Sequence, residues 1–194
     1  MSKGSRIMYV AFQGVLWITM ILAGVKLMAQ KRNEEHVEVP VIAARSEDVS
    51  TIEGIVKASY ETISGPVGAP RQWGRDRTLF ASHVRFVSLR SDPKAGKVTV
   101  RDLNYQEYLD ESDSFLVKEG FTEVELGHVI KQYGNVATVL SSYEGRVQST
   151  GKVITRGVNI FSLYNDGQRW WIQTMMWDQE RPENPIPPEL LLKK

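Results

Sequence analysis

The sequence predicts an α+β domain, a curved antiparallel sheet packed on three helices. Three observations carry this. Apolar residues recur at helical spacing as far as Gly120, then at a period of two from there to Asp178. The pairs Gly134-Asn135 and Asp166-Gly167 are two-residue hairpin signals between such alternating runs. The length of 194 residues, with 42% hydrophobic and 24% charged, suits one domain with its own core and is too short for two ordinary ones plus linkers.

The first 29 residues stand apart. Ile7 to Val25 carries no charge, is preceded by Lys3 and Arg6, and is followed by Lys26, Lys31 and Arg32. A secretory signal has this basic start and apolar middle, and Ala29 would be the small residue before the cut. An uncleaved anchor is the other reading, because 19 apolar residues just span a bilayer. Either reading places the body outside the cytoplasm, as a periplasmic or extracellular protein or one held at the inner membrane.

Residues 30–45 lack a helical period and contain Pro40, so they read as a linker or an extended tail lying on the domain. The domain is expected over 46–180. Ser46 is an N-cap with Glu47 and Asp48 in the first turn, and Val49, Ile52, Val56, Tyr60 and Ile63 follow at helical spacing. Gly65 and Pro66 end this helix. Pro70 opens a shorter one holding Trp73, Leu79 and Phe80. Val84 to Leu89 and Lys97 to Arg101 form a hairpin. Asn104 with Glu107 forms a capping pair for a third helix that stops at Gly120. Long strands follow to Asp178, and residues 181–194 form a proline-rich surface tail.

Tight turns fix register. Around Gly134-Asn135, Tyr133 faces Val136, Ile130 faces Val139 and Leu126 faces Tyr143; Glu123 is then opposite Arg146. Around Asp166-Gly167, Asn165 faces Gln168, Phe161 faces Ile172 and Arg156 faces Trp177. A four-residue loop at Gln148 to Gly151 sets Tyr143 against Arg156. One face then carries Leu126, His128, Ile130, Val139, Ser141, Tyr143, Arg156, Val158, Ile160, Met175 and Trp177. This mostly apolar surface with a few polar groups has the make-up of a small-molecule pocket. The other face carries Val129, Leu140, Phe161, Leu163, Trp170 and Ile172, enough apolar surface to predict a homodimer or a covering tail.

Composition excludes several classes. Cysteine is absent, which removes disulfides, thiol nucleophiles and Cys-ligated metals. His36, His83 and His128 show no metal-ligand spacing, so no metal site is expected. The five basic residues before Glu34 leave 19 basic against 23 acidic residues beyond, a body without the basic footprint of a nucleic-acid binder. No phosphate loop or other cofactor motif is present, and none is expected to bind.

The order helix, helix, hairpin, helix and long strands resembles the nuclear-transport-factor-2-like superfamily of cone-shaped domains, which includes SnoaL-like cyclases, ketosteroid isomerases and scytalone dehydratases. The segments YETISGPVGAPRQWGRDRTLF, GFTEVELGHVIKQYGNVA and RGVNIFSLYNDGQRWWIQTMMWDQERPENPIP resemble an uncharacterised exported bacterial branch. The resemblance implies a cone between sheet and helices and pairing through the outer sheet face; it transfers no catalytic residue. The expected function is binding of a small apolar or weakly acidic molecule in the cone. A lyase- or isomerase-like enzyme and an interaction protein with a filled cone are the alternatives. The candidate pocket residues are Tyr60, Trp73, His128, Ser141, Tyr143, Arg156, Met175 and Trp177.

Overall fold

A computed structural model describes residues 36–92 and 94–191. The expected signal or anchor at 1–29 lies outside them. Among the described residues no helix is long and apolar enough to cross a membrane.

The segment after His36 is extended and docks on the domain: the Val37 amide donates to Asp110 Oδ1 at 2.8 Å, and Gln106 Nε2 donates to the Val37 carbonyl at 3.0 Å. The first expected helix is two. Helix α1 (Ser46–Val49) stops, and α2 (Ile52–Ile63) restarts at Thr51, whose extended backbone lets its hydroxyl accept from the Gly54 amide at 2.9 Å. A β-branched Thr with a cap-competent hydroxyl makes this restart better than a continuous turn. Helix α3 (Trp73–Arg77) is one short turn. Arg75 on it binds Asp48 of α1 through two nitrogens, at 2.8 and 2.7 Å, and Glu61 of α2 at 2.7 Å. This fork fixes the three helices relative to one another.

Strand β1 (Phe80–Asp92) pairs with β2 (Lys97–Leu103), and α4 (Tyr105–Glu119) follows with the expected capping box between Asn104 and Glu107. Then come β3 (Phe121–Tyr133), β4 (Val136–Val147), β5 (Val153–Asn165) and β6 (Trp170–Gln179). The sheet order is β2-β1-β6-β5-β4-β3. The hairpin and the four-strand meander meet along β1 and β6, which run parallel; every other pairing is antiparallel. The sheet is curved and does not close. Irregularities in β1, β3, β5 and β6 supply bends, as extra residues in a ladder do.

The core lies between the helices and one sheet face. Phe86, Phe161, Ile55, Leu79, Leu109, Ile172 and Val139 are all at most 1% exposed. Phe86 stacks flat on Tyr108 of α4 at 4.2 Å and touches Phe80 at 4.9 Å, tying β1 to that helix.

The turn at Gly134-Asn135 has the expected form: Gly134 has φ 56°, a conformation that favours glycine, and Tyr133 pairs with Val136. Six expected pairings are corrected, by extra residues in the ladders and by a wider last turn. Leu126 bulges out of β3, so Glu125 and not Leu126 opposes Tyr143, and Glu123 opposes Gly145. Arg146 therefore pairs with Glu144 at 3.0 Å rather than with Glu123. The four-residue loop does form, with the Val147 amide on the Lys152 carbonyl, but Ile154 adds a residue and sets Gly157 against Tyr143. At the last hairpin Asn165 pairs with Trp170 rather than Gln168, because the Asp166 carboxylate accepts from the Gln168 and Arg169 amides, both at 2.9 Å, and draws four residues into the turn. Gln173 is a further insertion, which puts Met175 opposite Phe161 and Trp177 opposite Asn159.

These shifts re-sort the faces. Phe161, Leu163, Trp170 and Ile172, expected on the outer face, are core residues exposed by 7% or less. Arg156, Val158 and Ile160, expected inside, share the outer face with Leu140. The tail crosses that face: Ile186 and Leu190 are buried, and the Leu190 carbonyl accepts from Ser142 Oγ. The tail thus lies on the outer face, beside Leu140, Val158 and Ile160 rather than over the apolar set expected there.

Candidate functional site

Between α4 and the inner sheet face lies a cavity of about 440 Å³. Its apolar wall comes from Ile63 of α2, Tyr108 and Leu116 of α4, Phe121 of β3, Tyr143 of β4, and Met175 and Trp177 of β6. Phe115, 44% exposed, and the exposed Arg90 and Gln179 line its mouth. Four polar side chains, Ser112, Glu123, Thr155 and Asn159, also line it. Glu123 and Asn159 face inward because of bulges: the Leu126 insertion turns Glu123 to the helix side, and the Ile154 insertion does the same for Asn159.

Glu123 is half-buried and fronts the cavity. Desolvation pushes its pKa up to about 7, against a hydrogen bond from Asn159 that favours the charged form. Asn159 Nδ2 also donates to Tyr60 Oη at 3.1 Å. Behind it the chain continues: Tyr60 Oη and Ser141 Oγ are 2.7 Å apart, and Ser141 Oγ lies 2.5 Å from Glu125 Oε1. The single Ser141 proton goes to the carboxylate, so Tyr60 donates to Ser141. His128 Nδ1 closes the row at 3.0 Å from the same Glu125 oxygen. Burial holds the Tyr60, Tyr108 and Tyr143 phenols protonated, their pKa values raised above the ordinary range. Tyr143 can lean inward because Gly157 opposite has no Cβ; one there would stand 2.2 Å from the Asp178 carbonyl and 2.9 Å from Tyr143 Oη.

The expected pocket residues thus divide. Tyr143, Met175 and Trp177 line the cavity. Tyr60 and Ser141 stand behind its wall, joined to it through Asn159, and His128 is further along the same row. Trp73 is buried with its indole on Asp113 Oδ1 at 2.6 Å, and does not reach the cavity. Arg156 is a correction: it projects from the outer face toward Glu144 at 3.8 Å and Glu180 at 3.4 Å, and makes no stack on Trp177. Glu123, Asn159 and Tyr108 were not expected. Gly127 within an alternating strand, where apolar parity changes between Phe121 and Ile130, is the sequence signal for the bulge that brings Glu123 in.

A second buried acid sits on the helical side. Asp76 is 1% exposed and accepts from Thr62 Oγ1 at 2.6 Å and Tyr105 Oη at 2.8 Å. Burial raises its pKa to about 6. It links α2, α3 and α4 and does not line the cavity. Among the described residues no group of three His, Cys, Asp or Glu side chains could hold a metal ion.

No protein-family model and no curated protein matches the sequence. Among solved structures, a protein of unknown function from Mycobacterium tuberculosis is 17% identical with a TM-score of 0.50, over 72% of this chain and 80% of that one. An NTF2-like protein of unknown function from Methylobacillus flagellatus is 13% identical with a TM-score of 0.45, over 69% and 99%. A candidate ketosteroid isomerase from Shewanella frigidimarina is 22% identical with a TM-score of 0.41, over 64% and 91%. At these identities the likeness is one of fold.

Proposed function

We propose that this domain, which has the nuclear-transport-factor-2-like fold, binds a small and largely apolar molecule in its cone, with one polar group of the ligand set against Glu123 and Asn159. The observation that carries this is the cavity itself: aromatic and apolar side chains share its wall with the Glu123 carboxyl, the Asn159 amide and the hydroxyls of Ser112 and Thr155. The weakly acidic ligand expected from the sequence loses its support, because Arg156 faces the other way. Ser112 lines the cavity from α4 and is half-buried. Thermal-shift screening with small aromatic alcohols and ketones tests the reading. Ligands that raise the melting temperature should lose at least tenfold in affinity in Ser112→Trp, which plugs the cavity; unchanged affinity there contradicts the reading.

A second reading, an isomerase- or lyase-like enzyme, is favoured by one observation. A carboxyl with a pKa of about 7 both accepts and returns a proton near neutral pH. Ligands consumed by the protein, with turnover abolished in Glu123→Gln, would distinguish it. His128 is the weaker acid–base candidate, since it does not line the cavity.

We further propose that the domain works outside the cytoplasm, supported by the uncharged run at Ile7 to Val25. Intact mass of protein from the native cell should show either a chain starting at Gln30 or a retained segment in the membrane fraction; the whole chain in the cytosol contradicts export. Self-association is proposed to be held back by the tail, since Ile186 and Leu190 occupy part of the outer face. Val98 and Val100, each more than half exposed, add apolar surface beside Leu89. Deleting 182–194 should convert a monomer into a dimer by sedimentation at tens of micromolar; a monomer in both forms removes the dimer from the account.

A further inference from the structure

The proposed cone site leaves one question open to the geometry, the charge of its ligand. Glu123 is in no ion pair among the described residues. The one hydrogen bond credited to its carboxyl is from Asn159, whereas a carboxylate has room for about four. The only other charged side chain lining the cavity is Arg90, exposed at the mouth on β1. Strands β1 and β3 are separated by β6, β5 and β4, and Arg90 forms no ion pair with Glu123. Phe121, Tyr143, Tyr108 and Trp177 line the same cavity as Glu123. A half-buried carboxyl without a cation, in a cavity that aromatic rings also line, is complementary to one kind of group.

We propose that the cone takes a ligand bearing a protonated amine on a compact aromatic or aliphatic body, with Glu123 as its counter-ion and the rings of Tyr108, Tyr143 and Trp177 around its cationic head. This rests on the reading of the cone as a small-molecule site and deepens it. An ammonium supplies the missing positive charge and up to three donors to the free carboxylate lone pairs, and it is attracted to aromatic faces. A carboxylate ligand meets a like charge in a poorly solvated chamber. A neutral ligand leaves Glu123 either protonated or charged and unpaired. The other groups that face Glu123 do not supply a competing cation: Tyr60, Tyr108 and Tyr143 are phenols held protonated, Glu125 is acidic and already hydrogen-bonded by Ser141, and Asn159 is neutral.

Calorimetric titration of the full chain with three probes that share a phenylethyl body, 2-phenylethylamine, 2-phenylethanol and 3-phenylpropanoate, tests the proposal. At pH 8 the amine should bind at least tenfold more tightly than the alcohol, and the carboxylate more weakly than either. In Glu123→Gln the preference for amine over alcohol should vanish. The unsubstituted protein gives a second readout that does not depend on the variant folding: the preference should grow as pH rises from 6 to 8 and Glu123 loses its proton. An amine that binds no better than the alcohol at pH 8, or a preference that persists in Glu123→Gln, overturns the proposal while leaving the cone as a small-molecule site. If none of the three binds, the small-molecule reading itself fails and the amine proposal falls with it.

Discussion

Replacing Phe86 with alanine is expected to cost about 3–5 kcal/mol of folding stability, the range for removing a fully buried aromatic ring. Phe86 is 0% exposed. Its ring lies flat on Tyr108 at 4.2 Å, with Phe80 at 4.9 Å and Tyr105 at 6.2 Å. No neighbour is free to fill the gap, since Phe80 and Tyr105 are themselves packed into the same cluster and Tyr105 is tied to Asp76. A domain of ordinary stability has only about 5–15 kcal/mol in hand, so the loss is a large fraction of the whole. Tyr108 is also a wall of the cavity and contacts Trp177 edge-on at 6.4 Å. The variant should therefore lose ligand affinity along with stability. Urea unfolding measures the first; a loss below about 1.5 kcal/mol would show that the sheet and α4 are not joined through this ring.

The second large effect is on pH. Asp76 and Glu123 both have folded pKa values above the ordinary carboxyl values, about 6 against 3.8 and about 7 against 4.5. The folded state then holds protons that the unfolded chain releases, so stability falls as pH rises from about 4 and levels off above about 7. Each group contributes on the order of 3 kcal/mol to that decline, at about 1.4 kcal/mol per pKa unit. Asp48 acts in the opposite sense: its hydrogen bonds from Arg75 lower its pKa, and the stability it gives is lost as pH drops through the acid range. Glu123→Gln, which keeps the shape and removes the titration, should match the unsubstituted protein at pH 4.5 and exceed it by up to about 3 kcal/mol at pH 8. Equal stability at both pH values would show that the Glu123 carboxyl is well solvated.

Much of this architecture is legible in local sequence. The capping box of Asn104 and Glu107, the stop at Gly120 and the hairpin at Gly134-Asn135 all depend on a few adjacent residues, and all three form as their chemistry dictates. The change of period near Gly120 marks the passage from helices to sheet. What escapes is anything that accumulates along a strand. A single extra residue reverses the face of every side chain beyond it. Leu126, Ile154 and Gln173 are such residues, and they explain why Arg156 leaves the cone, why Phe161 and Ile172 join the core, and why Glu123 and Asn159 enter the site unannounced. Tyr143, Met175 and Trp177 keep their predicted places. For Met175 and Trp177 two errors cancel, the Ile154 insertion and the Gln173 insertion; the turn at Asp166 widens by two residues and so reverses no face. The tail follows a different logic: Ile186 and Leu190 have no periodicity to announce them and are placed by the apolar surface of Leu140, Val158 and Ile160 beneath.

That surface offers the sharpest test of where a ligand sits. A groove of about 380 Å³ remains between the tail and Leu140, Val158 and Ile160, on the opposite side of the sheet from the cone. Chemical-shift mapping of the isotope-labelled protein with 2-phenylethanol distinguishes the two. The cone account predicts shifts centred on Ile63, Tyr108, Phe121, Tyr143 and Met175. Shifts centred on Leu140, Val158, Ile160 and Ile186, with the cone residues unmoved, would contradict it.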